Sequence, residues 1–407
     1  MPITKRQLAA ALLVAAIRPA RAEAPRTVKI GVVNDQSGPY SDMGGVGSVV
    51  AARIAVQDSG LEAKGWSIQI LSADHQNKPD IATTIVRHWY DVEEVDMVAD
   101  VANSAVSLAV SDLTREKNKV MLASGPAISD LTGTHCSPNT IHWTMDTWSM
   151  AHSTGEAIVQ TGGDTWFFLT ADFAFGQALE RDTAAVVTAS GGKILGNVRI
   201  PVDITDFSSY LLQAQSSGAK IVGLAESGTN LVNAIKQSAE FGIVAKGQHL
   251  AGLLLYITDI HSIGLETAQG LLLTSPFYWN LNDNTRAFAA RFTALRPGTE
   301  PTMVQAGTYS ATLHYLKAVA ALGSATDGAK VVAQMKAMPT DDLAFGRGRI
   351  REDGRKIHPM YLFEVKSPSQ SKGPWDYYEL RATVPAEEAF RPLDQDHCPM
   401  IEAAAKQ

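Results

Sequence analysis

Small hydroxylated residues and glycines gather at three places where an apolar run ends and a helical pattern begins. One is Ser37-Gly38-Pro39-Tyr40-Ser41-Asp42-Met43-Gly44-Gly45, the second Asn103-Ser104-Ala105, and the third Ser124-Gly125-Pro126-Ala127-Ile128-Ser129. Short side chains there leave the first N–H groups of the following helix open, and such groups hold anions, a carboxylate among them. Any one of these loops is equally well read as turn and helix-cap chemistry, which also selects Ser and Gly. Three on one sheet edge favour a ligand site.

Aromatic residues cluster elsewhere: His142-Trp143-Thr144 and Trp148, then Phe173 and Phe175, then Phe277-Tyr278-Trp279, with Tyr309 and His314 later. They either pack two bodies together or line a pocket for a flat apolar ligand. Catalytic signatures are missing: the chain has no G-x-S-x-G elbow, H-E-x-x-H, Walker A lysine or Cys/His cluster with metal spacing. No cofactor and no metal are expected. Gly45-Val46-Gly47 makes a poor dinucleotide loop, because it lies far beyond the strand and lacks the third glycine.

The elements that must position these loops alternate strand and helix. Residues 27–34 (TVKIGVVN), 67–73, 95–101 and 120–124 read as apolar strands, with helices at 46–58, 81–91 and 106–118 between them. A second series follows residue 148, with strands at 165–170, 193–200, 221–225, 249–253 and 271–275 and helices at 151–161, 176–190, 207–216 and 231–241. Alternation of this kind gives mostly parallel sheets covered by helices on both faces. After residue 285 helices come without strands (284–295, 303–322, 328–338), and RIREDGRKIHPMYLFEV reads as antiparallel strands around Glu352-Asp353-Gly354. The helices are expected to return to the first body and the hairpin to join the second. The expected division is therefore 27–147 with 276–342 as the N-terminal lobe and 148–275 with 343–380 as the C-terminal lobe, and residues 381–407 form a tail packed on both.

Residues 1–22 read as a signal peptide: Lys5 and Arg6, the apolar run 8–17, then Ala20-Arg21-Ala22 before a cut near Glu23. The run is about half the ~20 residues a membrane span needs, and no cysteine follows it for lipid attachment. Removing the four basic residues of 1–22 takes the formal charge from −7 to −11, which disfavours nucleic acid as a partner. Export also places Cys136 and Cys398, the two cysteines, where a disulfide is favoured over two buried thiols.

VKIGVVNDQSGPYSDMGG, DHQNKPDIA, SGPAISDLTG, ADFAFG, DFSSYLLQAQSSGAKIVGL and TAQGLLLTSPFYW together resemble the periplasmic solute-binding proteins of branched-chain amino acid ABC importers, the Leu/Ile/Val-binding type. CSPNTIHWTMDTW, PTMVQAGTYSATLHYLKAV and SKGPWDYYELRATVPAEEAFRPL are similar to a branch of soil and phototrophic α-proteobacteria associated with aromatic acids from plant matter. The resemblance implies a two-lobed α/β fold of the type I, Venus flytrap kind with three crossovers. It also implies a monomeric, non-catalytic periplasmic protein that delivers a small carboxylate to separate permease subunits.

Carried onto this sequence, the resemblance puts carboxylate-gripping groups at Asn103, Ser104, Gly125 and Ala127, with Ser124 beside them and Met43 against the ligand's body. Phe175 stands where amino-acid binders have a tyrosine, Ser227 where they have an aromatic, and Leu253 or a near neighbour where they have an acid. Trp143, Phe175 and Tyr278 are the expected pocket wall. A buried ammonium needs an acceptor, so leucine at the acidic position predicts a ligand without an α-amino group: a benzoate, hydroxybenzoate, phenylacetate or cinnamate type acid. Glu226 or Asp146 as an overlooked acceptor would restore the alternative, a branched-chain or other amino acid. A sensor on the same fold and an enzyme with a site built from tertiary contacts are the remaining rivals.

Overall fold

The computed structural model describes residues 26–201 and 204–404; the signal-peptide segment 1–22 lies outside them. In chain order the first body opens with β1 (Arg26–Asn34), α1 (Gly45–Ser59), β2 (Trp66–Asp74), α2 (Pro79–Asp91), β3 (Met97–Asp100), α3 (Ser104–Glu116), β4 (Val120–Ala123) and β5 (Thr140–His142). These strands form one parallel sheet in the order β2-β1-β3-β4-β5. Alternate residues face opposite layers, as the period of a strand requires. Val28, Ile30, Met97, Ala99, Val120 and Leu122 pack in one core, whereas Val33, Val98, Met121 and Ala123 meet Val86, Trp89, Val106 and Val110 of α2 and α3 in another. Pro79 starts α2, where a missing N–H is harmless, and Asn103 caps α3.

The second body runs α4 (Thr147–Gln160), β6 (Thr165–Ala171), α5 (Ala174–Ala189), β7 (Lys193–Ile200), α6 (Ser208–Ser216), β8 (Ile221–Ala225), α7 (Gly228–Glu240), β9 (His249–Gly252), α8 (Ile257–Ile263), α9 (Leu265–Ala268) and β10 (Leu272–Ser275). Strands β7-β6-β8-β9 are parallel. The chain then returns through α10 (Asp283–Leu295), α11 (Met303–Leu322) and α12 (Gly328–Ala337) to cover the first sheet. Here α1 and α11 approach so closely that a Cβ on Gly47 would lie 2.2 Å from the Gln305 amide nitrogen. Last come the hairpin β11 (Arg349–Ile350) and β12 (Lys356–Ile357), then β13 (Met360–Val365), β14 (Tyr378–Val384) and α13 (Pro399–Ala404). β13 pairs antiparallel with β10 and β14.

Two features differ from the expected organisation. β5 was not foreseen, being only three residues long. The hairpin β11–β12 attaches to the first body, not the second: the His142 N–H donates to the Gly354 carbonyl at 3.0 Å, and Lys336 Nζ donates to the Glu352 carbonyl at 2.7 Å. The third crossing therefore falls between β12 and β13 rather than at residue 342. The tail forms β14 and then folds back over the first body, where Cys398 is disulfide-bonded to Cys136. Among the described residues no helix is long and apolar enough to cross a membrane.

In the first sheet β1 connects toward β2 and β3 toward β4, in opposite directions; in the second, β6 connects toward β7 and β8 toward β9. Loops that leave in opposite directions part, and the crevice outside such strand ends is where open α/β sheets bind ligands.

Candidate ligand site

The two crevices face each other. Tyr40 and Met43 follow β1, Asn103 and Ser104 follow β3, and Gly125, Pro126 and Ala127 follow β4; from the second lobe come Phe173 and Phe175 after β6, Ser227 after β8, and Leu254 and Tyr256 after β9. Together they line a narrow cleft with a volume of about 270 Å³. The space is too tight for an organic ligand to enter unless the lobes part. They touch closely: a Cβ on Gly228, whose φ is +59°, would lie 2.4 Å from the Pro39 carbonyl oxygen across the cleft. A wider hollow lies at the opposite end of the second sheet, beside Gly163, Lys220 and His249. Those are strand beginnings, without the helix N-termini that give the strand exits their chemistry.

Every lining side chain is uncharged, and three lining polar atoms are buried without a hydrogen-bond partner among the described residues: Ser104 Oγ, Ser227 Oγ and Tyr256 OH. The N-terminus of α3 is less open than its sequence suggests. Asn103 adopts φ +75°, and its Oδ1 accepts from the Ala105 and Val106 N–H groups at 3.0 and 3.2 Å. The Ser104 N–H, in the first turn, stays outside the helical ladder.

Met43, Asn103, Ser104, Gly125, Ala127, Phe175 and Ser227 thus meet around one cavity. The other candidates lie elsewhere. The Ser124 hydroxyl is 2.8 Å from Thr308 Oγ1. Trp143 is fully buried, and its indole N–H donates to Ser310 Oγ at 2.9 Å beneath α11. Asp146 caps α4 and pairs with the buried Arg355 at 3.4 Å. Leu253 points into the core, and its neighbour Leu254 lines the cavity instead. Tyr278 donates to Asp376 at 3.2 Å, in the packing around β14. Tyr40, Pro126, Phe173, Leu254 and Tyr256 had no individual signal beyond their nearness to strand exits.

Three buried acids stand near the cleft. Burial pushes the Asp100 carboxyl up to about 6, the nearby Ser48 hydroxyl and the Asn34 amide offsetting part of the effect. Burial likewise raises Glu226 to about 8, against one favourable contact from Asn230, and Asp259 to about 7.

Two α/β lobes, joined by several crossings and presenting their switch points to one cavity, define a protein that closes on a small ligand. The chain belongs to the periplasmic binding protein family, whose model matches residues 27–373. It is similar to the solved structure of a periplasmic binding protein from Burkholderia mallei, at 49% identity over 92% of this chain and 99% of that one, with a TM-score of 0.89. A branched chain amino acid ABC transporter periplasmic ligand-binding protein from Burkholderia xenovorans LB400 is 41% identical over 92% and 99%, with a TM-score of 0.82. A curated relative, Leu/Ile/Val-binding protein homolog 6 of Brucella melitensis biotype 1, is 23% identical across 83% of this chain and 87% of its own length. The protein is periplasmic, and its family serves transport by binding rather than catalysis.

Proposed function

We propose that this chain is the substrate-binding component of an ABC importer and that it closes around one small amino acid with an apolar side chain, of the branched-chain kind. The observation that carries this reading is the polarity of the cavity. The Ser104 hydroxyl and the α3 N-terminus suit a carboxylate at the first-lobe wall, Met43, Phe175 and Leu254 suit an apolar body, and Ser227 and Tyr256 offer further polar contacts opposite. The name of the 41% identical relative supports the same class. Closure presents a single loaded surface to permease subunits carried on other chains.

A second reading is a carboxylate without an amino group, of the benzoate, hydroxybenzoate, phenylacetate or cinnamate type. It is favoured by the uncharged lining and by the rings of Tyr40, Phe173, Phe175 and Tyr256 around the cavity. Thermal melting of the ligand-free protein with both sets, followed by titration of the hits, separates them, because a ligand that binds only the folded protein raises its melting point by mass action. Stabilisation by leucine, isoleucine or valine is the expected result. Stabilisation by ring acids alone sinks the amino-acid reading and leaves the transport role intact.

A further inference from the structure

We infer that Asp182 is the hub of a latch between the lobes, one that sets how tightly every solute is held while touching none of them; the inference goes beyond the reading above and holds for either solute class. Asp182 lies on α5 in the second lobe and is 5% exposed. Its Oδ2 accepts from Ser129 Oγ at 2.8 Å and Thr147 Oγ1 at 2.6 Å, and its Oδ1 accepts from Arg181 Nε at 2.9 Å and Arg391 Nη2 at 3.4 Å. Thr147 and Arg181 belong to second-lobe helices; Ser129 and Arg391 do not. Ser129 sits between β4 and β5 of the first sheet, and its buried hydroxyl also accepts from Arg181 at 3.1 Å and Arg391 at 3.0 Å. Arg181 reaches on to Asp130 of the same segment at 3.1 Å.

The tail completes the first-lobe half of the latch. Cys398 is bonded to Cys136, in the same stretch between β4 and β5 that carries Ser129. Arg351, next to β11 on the first body, donates to the Arg391 carbonyl at 2.7 Å. Phe390 is buried, with the Arg355 guanidinium 4.2 Å from its ring centroid. Arg391 is thus carried by a segment fixed to the first lobe, and its side chain crosses to the second.

One face of α5 joins this latch to the cleft. Phe175, Ala178 and Asp182 follow the three- and four-residue spacing that lines side chains up along a helix. Phe175 lines the cleft, Ala178 packs among Val106, Ile128 and Leu131 of the first lobe, and Asp182 takes the latch. When the lobes part along this face, Asp182 keeps Thr147 and Arg181 and exchanges Ser129 and Arg391 for water, so closure gains charge-assisted hydrogen bonds that the open form lacks. Ser129, Asp182 and Arg391 all lie outside the cleft lining. A contact of that kind changes only the fraction of protein in the closed form, and the apparent dissociation constant of every ligand scales inversely with that fraction. Asp182 is therefore a positioning residue.

The test titrates wild type, Ser129→Ala and Arg391→Met with leucine, isoleucine, valine and benzoate, and melts each protein without ligand. Each variant is expected to lose affinity by about 5–20-fold, by the same factor for every probe that wild type binds, and mainly through faster dissociation. The ligand-free melting point should stay within about 3 °C of wild type, because the open form has no latch to lose. Affinities within about threefold of wild type in both variants, or factors that differ about tenfold between probes, overturn the latch and leave the amino-acid reading standing. So does a ligand-free melting point lowered by more than about 3 °C, which marks a merely structural role. Wild type that binds benzoate but none of the amino acids overturns the amino-acid reading alone, and the latch is then read from benzoate. Wild type that binds no probe overturns both.

Discussion

Replacing both Cys136 and Cys398 by Ser removes the covalent tie between the tail and the first lobe. The bridge spans 262 residues of sequence, and chain entropy for a ring of that size gives a ceiling of about 5.6 kcal/mol of stabilisation, acting through the unfolded state. Measured bridges usually deliver about 2–4 kcal/mol. A protein of this length gains on the order of 0.8 kcal/mol per kelvin of unfolding entropy, so the double variant should melt about 3–5 °C lower in calorimetry. A second, local readout follows from the contacts the bridge anchors. Arg391 donates to Ser129 Oγ at 3.0 Å and reaches Asp182 of α5 at 3.4 Å, while Arg351 is paired with Asp353 and Asp396. Without the bridge, residues 385–404 are held by these ion pairs and by the buried Ala389 and Phe390, and the amides nearest Cys398 should exchange faster while those of β1, β3 and β6 keep their protection. An unchanged melting point with unchanged tail exchange would refute the ring-closure reasoning.

Two further perturbations test the site's surroundings. Gly228→Ala places a methyl at φ +59° and 2.4 Å from the Pro39 carbonyl, so it should hold the lobes apart, weaken ligand binding by about tenfold or more and enlarge the radius of gyration of the loaded protein in small-angle scattering. Glu226→Gln addresses a carboxyl whose folded-state pKa is raised from 4.5 to about 8. Wild-type stability from this group is then full below about pH 4.5 and is lost as pH rises toward 8, by up to roughly 5 kcal/mol. The variant's urea midpoint should exceed that of wild type at pH 8.5 and match it near pH 4.5.

Much of the architecture was legible because strand and helix differ in period, and two series of apolar strands leave few alternatives to two parallel sheets. Thr140–His142 escaped because three residues carry no period. The hairpin's place on the first lobe is not legible, because its partner is chosen by a backbone contact from His142 to Gly354 that no local pattern encodes. At the site, first-lobe residues were readable where short side chains follow a strand. Second-lobe positions were harder: past the end of β9 a slip of one residue exchanges Leu253, in the core, for Leu254, on the wall. Trp143 and Tyr278 show why aromatics at crossings mislead, since the same bulk that would line a pocket also fills the junction between layers. Asp100 gave no signal at all.

The polar atoms of the cleft also explain why closure should depend on ligand. Inter-lobe contacts such as Arg181 with Asp130 at 3.1 Å and Ser129 with Asp182 at 2.8 Å are made by the protein alone, so they favour closure with or without cargo. Ser104 Oγ, Ser227 Oγ and Tyr256 OH oppose it, because closing dry leaves them buried with no partner beyond the contact of Ser227 with Tyr256, at about 1–3 kcal/mol per unmet group. Counting the Ser227–Tyr256 pair as one unmet group, the combined penalty of roughly 2–6 kcal/mol is of the order of the ~5.5 kcal/mol needed to move a two-state equilibrium from 1:99 to 99:1. A ligand that satisfies all three therefore supplies a differential affinity of the size a transport signal requires. One that fills only the apolar space between Met43, Phe175 and Leu254 leaves the penalty in place and the lobes open.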